Sequence, residues 1–218
     1  MSVEDNTNIY IHVYLASEAF CLRLFCLFPI PPQGFYPFCI IGKIKGMRKI
    51  KEHIIDYWDD RASDFVRLHL AELRNDISLR WESEIERALG HVKDPTSFKV
   101  LDVGCGSGFF SMILERKGFT VTATDISPAM IREAKAAAKV IGSQVNFLVM
   151  DVENLDFPDE SFDLVIARNL TWTLPDLENA YREWRRVLKP GGRILNFDAD
   201  YRSYGEEDNL HKDVTSSQ

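Results

Sequence analysis

Residues 99–125 constrain the fold most strongly. Lys99-Val100-Leu101-Asp102-Val103 reads as a strand that runs into Gly104-Cys105-Gly106-Ser107-Gly108, and a helical pattern opens at once with Phe109. Glycines at that junction let the backbone turn sharply and let a ligand approach without meeting a Cβ atom. Three glycines alone would say little. Their place between a strand and a helix, with Asp102 before the first of them, makes this a ligand-binding turn at the end of a buried strand.

The rest of the chain repeats the alternation. Strand-like runs at 120–124, 145–150, 162–167 and 193–197 are separated by a helix to Lys117, a helix to Ile141 and a helix centred on Trp184. Strands that are apolar on both faces and separated by amphipathic helices predict a mostly parallel sheet covered by helices, an α/β fold. Turn chemistry agrees. Gly118 and Gly142 end helices, Ser127-Pro128 starts one, and Lys189-Pro190-Gly191-Gly192 predicts a tight return.

Upstream, residues 49–89 carry two helical stripes. Ile50, Ile54, Tyr57 and Trp58 form one, and Val66, Leu70, Leu73, Ile77, Trp81 and Ile85 form the other, with Gly90 as the stop. The first 46 residues differ from everything after them, being rich in aromatic, Cys and Pro residues. Residues 9–15 alternate like a strand, but Pro29, Pro31, Pro32 and Pro37 interrupt the uncharged stretch that follows, which argues against a membrane-spanning helix. Glu4 and Asp5 stand where a signal peptide would carry basic residues. The expected division is an atypical extension at 1–46, a helical cap at 47–94, a core at 95–200 and a polar tail at 201–218.

Charge and cysteine usage narrow the chemistry. A formal charge of −7 opposes a protein that works by neutralising phosphates, so nucleic acid is not an expected partner. Arg185 and Arg186 beside Glu183 read as a solvated helix face. Cys21, Cys26, Cys39 and Cys105 form no CxxC pair and have no His at ligand spacing, so no metal is expected. A cytoplasmic location is the expectation.

The second strand ends in Asp125 and the third in Asp151. A carboxylate at the first of these positions suits the two hydroxyls of a ribose, and one at the second suits the exocyclic amine of an adenine. With Asp102, three acids stand at three neighbouring strand ends, all at the carboxyl edge of a parallel sheet.

These residues resemble the class I S-adenosylmethionine-dependent methyltransferases over roughly residues 50–200. DVGCGSG looks like the family's first motif, TATDIS like its second, Met150-Asp151-Val152 like its adenine turn, and FDLVIARN with LKPGGRIL like its fourth and fifth strands. The resemblance implies a Rossmann-like sheet under an N-terminal helical lid, with S-adenosylmethionine as cofactor and S-adenosylhomocysteine as product. It assigns cofactor contacts to Tyr57, Arg61, Asp102, Gly104, Cys105, Gly106, Asp125, Ile126, Met130, Asp151, Val152 and the backbone near Arg168. Arg61 would meet the cofactor carboxylate. Trp58 and Phe65 read equally well as helix packing.

Transfer of a methyl from a sulfonium is an in-line displacement, which requires alignment and exclusion of water rather than a covalent nucleophile. Acceptor contacts are expected from Asn169, Thr171, Trp172, Asp198 and Tyr201. Asn169-Leu170-Thr171-Trp172 stands where amino-group methyltransferases carry Asn-Pro-Pro-aromatic, but without the prolines, so the lean toward an amine is weak. No general base declares itself. Tyr57 or Trp172 would favour the sulfonium electrostatically.

The family's usual fold ends in an antiparallel hairpin, which the polar residues after the fifth strand do not supply. Three ways of completing that edge stand open: a truncated sheet, substitution by residues 9–15 and 35–41, or a second subunit in a homodimer. A missing wall also leaves room for a cofactor-binding module without turnover. An NAD-dependent oxidoreductase is the remaining alternative, disfavoured because its loop is GxGxxG and because Asp102 would sit beside phosphates.

Overall fold

The computed structural model describes residues 8–15, 24–27 and 47–199. The expectations placed on residues 35–41 and on Tyr201 lie outside the described residues.

Five parallel strands form the body of the sheet: β3 (Lys99–Val103), β4 (Thr120–Asp125), β5 (Asn146–Val149), β6 (Phe162–Arg168) and β7 (Leu188–Ala199). Their order is β7-β6-β3-β4-β5, so the chain steps outward from β3 on one side and returns to the other side after β5. That reversal puts a crevice at the carboxyl ends of the strands.

Side-chain alternation sorts the core onto two faces. Val100, Leu164, Ile166, Leu195 and Phe197 pack with Trp81, Ile85, Phe109, Phe110 and Ile113 on one face. Leu101, Val103, Val165, Ala167 and Ile194 pack with Trp184 and Val187 on the other. α3 (Phe109–Arg116) and α4 (Pro128–Ile141) make crossovers in the same direction along the sheet and share a cluster that includes Met112, Ile131 and Ala134. α5 (Leu177–Val187) crosses in the opposite direction and covers the other face.

Side chains cap two of the helix starts, the expected one at Ser127 and a further one at Asp176. Ser127 accepts from the Met130 amide at 3.0 Å with Pro128 in the first turn, and Asp176 accepts from the Asn179 amide at 3.0 Å. The segment at 49–89, read as one helical stretch, is two helices, α1 (Met47–Glu72) and α2 (Asp76–Leu89). Asn75 divides them, because its side chain accepts from the Ile77 amide at 2.9 Å and starts a new helix. The expected tight return at 189–192 is instead an irregularity within β7, between the pairings Phe162↔Leu188 and Leu164↔Arg193.

The sheet does not stop at β7. β1 (Asn8–Leu15) pairs antiparallel with it, from Ile9↔Ala199 to Leu15↔Arg193, and β2 (Leu24–Leu27) pairs antiparallel with β1. The antiparallel pair expected at that edge is thus formed from the N-terminal segment, with residues 24–27 as its second strand. No helix among the described residues is long and apolar enough to cross a membrane.

Trp184 joins α5 to the turn after β5, because its fully buried indole Nε1 donates to the Val152 carbonyl at 3.0 Å. Trp184→Phe keeps an aromatic ring but leaves that buried acceptor unpaired, which costs about 1–3 kcal/mol. Urea unfolding of the two proteins should show a loss of that size with an unchanged slope.

Candidate functional site

Four turns at the carboxyl edge bring the expected residues together. The glycine loop follows β3, Ile126-Ser127 follows β4, Asp151-Val152 follows β5, and residues 169–173 follow β6. Asp125 is the hinge among them. Its Oδ2 accepts from the Gly106 amide at 2.8 Å and its Oδ1 from the Ser127 amide at 2.9 Å, which ties the glycine loop to the start of α4. Burial raises its pKa to about 6, against the pull of those amides.

Two glycines of the loop face different surroundings. Gly106 has φ +53° and nothing within 4 Å of where a Cβ would stand, so its outer face is open to a ligand. Gly104 has φ +63°, and a Cβ there would lie 2.4 Å from Leu170 Cδ1. The loop after β6 therefore packs directly onto the loop after β3. Cys105, nearly buried, donates its amide to the Thr124 carbonyl, and desolvation holds its thiol well above the ordinary range.

Asp102 lies below this surface. It is 2% exposed and accepts from the Ser111 hydroxyl at 2.5 Å, so it binds β3 to α3 rather than presenting a carboxylate to the crevice. Burial lifts its pKa to about 7, with Asp125 adding to the rise. Arg168 also turns away from the edge, its guanidinium lying 4.8 Å from the Trp81 ring centre and 4.9 Å from that of Phe109. Met130 is buried against Ala62 and Ala129. Ile126 is half-buried and Val152 buried, on turns flanking Asp125 and Asp151.

The acceptor-side residues form a fixed loop. Asp198 accepts from the Leu170 amide at 3.0 Å, from the Thr171 hydroxyl and from Asn196 Nδ2 at 3.0 Å. Both of its oxygens thus hold the turn after β6. Asn169 sits in that turn at φ +53° and donates its amide to the Phe197 carbonyl at 2.8 Å. Trp172 stands edge-on to Trp58 of α1, with ring centres 6.5 Å apart. Tyr57 is covered by its own helix, because the Arg61 guanidinium lies 3.6 Å from the ring centre and donates to the Tyr57 carbonyl.

Sequence reading missed how α1 is fastened. Lys51 reaches Asp151 at 2.5 Å and Glu153 at 2.6 Å. Asp59 accepts from the Ser127 hydroxyl and from the Ala129 amide at 3.1 Å, and His69 Nδ1 meets the Ser107 hydroxyl. One helix thus touches Asp151 in the turn after β5, the start of α4 and the glycine loop. The signal was present: Lys51, Ile54, Trp58, Ala62, Phe65, His69 and Leu73 recur at three- and four-residue spacing, and a Lys and a His on an apolar stripe need partners. Burial and the nearby Arg168 charge lower the His69 pKa to about 3, so it stays neutral.

Asp102 gives the site a pH dependence that runs against the usual carboxylate pattern. Its folded pKa lies above its ordinary value of 3.8, so the folded chain holds a proton that the unfolded chain releases. The stability it contributes is full below about pH 4 and is lost as pH rises toward 7. Replacing it by Asn, which keeps the shape without titrating, should remove that part of the fall. Unfolding free energies of wild type and Asp102→Asn at pH 4, 5, 6 and 7 should differ by an amount that changes steadily across the range.

Comparison with known proteins places this geometry. Residues 101–196 match the family described as a methyltransferase domain. The malonyl-[acyl-carrier protein] O-methyltransferase of Erwinia pyrifoliae is 39% identical over 50% of this chain and 40% of its own. The ubiquinone biosynthesis O-methyltransferase of Pseudomonas putida strain GB-1 is 33% identical over 66% of this chain and 58% of its own. The crystal structure of a protein from Pyrococcus horikoshii OT3 superposes with a TM-score of 0.51 at 38% identity, covering 59% of this chain and 61% of that one. The chain spans about half the length of the curated relatives it matches. Over residues 101–196 the chain is thus similar to methyltransferase domains.

Proposed function

We propose that the chain catalyses S-adenosylmethionine-dependent methyl transfer to a small-molecule acceptor. The observation that carries this reading is the Asp125 carboxylate, fixed by the Gly106 and Ser127 amides beside the open face of Gly106. A buried acid with both oxygens oriented by backbone donors is preorganised to accept from a pair of ribose hydroxyls. Asp151 would accept from the adenine amine, and Ile126 and Val152 would flank the ring. The backbone of Gly104, Cys105 and Gly106 would line the methionine portion. When bound, S-adenosylmethionine supplies an electrophilic methyl on a sulfonium.

The chain's own residues would then align the acceptor and keep water out. Trp58 of α1 and Trp172 of the loop after β6, whose ring centres stand 6.5 Å apart, would wall the acceptor space. Asn169 and Thr171 would border it, while Asp198, which holds that loop, would serve by positioning it. The negative net charge favours a small acceptor over nucleic acid, and the cytoplasmic location proposed here rests on the cysteine usage. The two relatives named above are O-methyltransferases, so carboxylate and hydroxyl acceptors come first in a panel that also includes amines.

Calorimetry with S-adenosylmethionine and S-adenosylhomocysteine tests the shared claim. Both should bind, and Asp125→Ala should weaken binding about tenfold or more, since the ligand hydroxyls lose a buried acceptor. If neither compound binds, the reading is overturned. Transfer of labelled methyl to a member of the panel then separates an enzyme from a module that only binds.

A further inference from the structure

Lys51 stands where the proposed adenine acid should be available. Asp151 uses Oδ1 to accept from the Glu153 amide at 2.9 Å, while its Oδ2 accepts from the Lys51 ammonium at 2.5 Å. The same ammonium lies 2.6 Å from Glu153 Oε2. Glu153 is only 3% exposed and is held on its other oxygen by the Asp176 amide at 2.9 Å. Lys51 is less than one quarter exposed, at 23%. Burial opposes its charge, but the hydrogen bonds to both acids prevail and raise its pKa, so it is a cation throughout the physiological range.

We propose that Lys51 is a competing ligand for Asp151, so that the first turns of α1 gate access of the cofactor's adenine to its acid. This rests on the reading of Asp151 as the adenine acceptor. An ammonium and an exocyclic amine are both donors, and they seek the same carboxylate oxygen. The charged donor makes the stronger hydrogen bond, so it resists displacement. What makes displacement feasible is that the cation is shared. When the amine takes Asp151, Lys51 stays on Glu153, and no buried charge is left without a partner.

The helix itself need not move. Its later turns are buried against α4 through Ala62, Ala129 and Met130, and Asp59 fixes it to Ser127 and Ala129. The long flexible stem of Lys51 can carry the ammonium from one acid to the other. The gate is therefore a side-chain movement at one end of a fixed lid, and its effect is on cofactor affinity.

The test is a double-mutant cycle read by calorimetry with S-adenosylhomocysteine, across wild type, Lys51→Met, Asp151→Asn and the double variant. Lys51→Met should bind about three- to tenfold tighter than wild type, and the same replacement in the Asp151→Asn background should bring no gain. Lys51→Gln serves as a second neutral variant with the same expectation, and thermal melts of all variants verify that they are folded. Equal or weaker binding by both neutral variants overturns the gate and leaves the proposed function standing, as does a gain that persists without the Asp151 charge. Absence of binding in every variant and in wild type overturns the proposed function and the gate with it.

Discussion

A carboxylate buried at the end of β4 organises the carboxyl edge of this sheet. Asp125 joins two turns that would otherwise be independent, because one oxygen takes the Gly106 amide and the other the Ser127 amide. Ser127 passes the connection on. Its hydroxyl oxygen accepts from the Met130 amide and its proton goes to Asp59 of the lid helix. The glycine loop, the first turn of α4 and α1 are thus linked through a single acid. Burying that acid is costly, as the rise of its pKa shows, and the backbone donors offset much of the cost. Such an arrangement orients both carboxylate oxygens before any further donor reaches them.

A second buried acid does the same for the opposite side. Asp198 collects the Leu170 amide, the Thr171 hydroxyl and the Asn196 amide group, and so fixes the turn after β6. Leu170 then rests on Gly104, where only a residue without a Cβ allows it. The two halves of the site meet at that contact. The turn after β6 and the glycine loop are thus joined by packing rather than by charge.

The parts that were legible in the sequence are those set by local chemistry. The glycine loop, the acids at consecutive strand ends and the caps at Ser127 and Gly142 depend on neighbours within a few residues, and they lie where the pattern puts them. Asn75 was equally local but was passed over, because the apolar stripes on either side of it run on without a visible break. The destinations of Asp102, Arg168 and Asp198 could not be read. Strand alternation says which face each residue takes, but whether a polar group there meets solvent, ligand or another buried group depends on distant elements. Arg168 shares a face with Leu164 and Ile166, and so lies among Trp81, Phe109 and Phe110.

Pairing at the sheet edge is the extreme case of such distance dependence. β7 offers a row of backbone groups that any extended segment can satisfy, and an antiparallel partner needs proximity rather than a particular sequence separation. β1 meets that need from the far end of the chain, with Ile9 opposite Ala199 at the carboxyl edge. Both elements that flank the crevice, the hairpin beside β7 and the lid over β3 to β5, therefore precede the sheet body in sequence. Because β1 pairs with the strand that carries Asn196 and Asp198, its register also bears on the acid that holds the acceptor loop. The edge hairpin and α1 are thus consecutive in the order of described elements, and the strand that anchors the hairpin is also the one that carries Asp198.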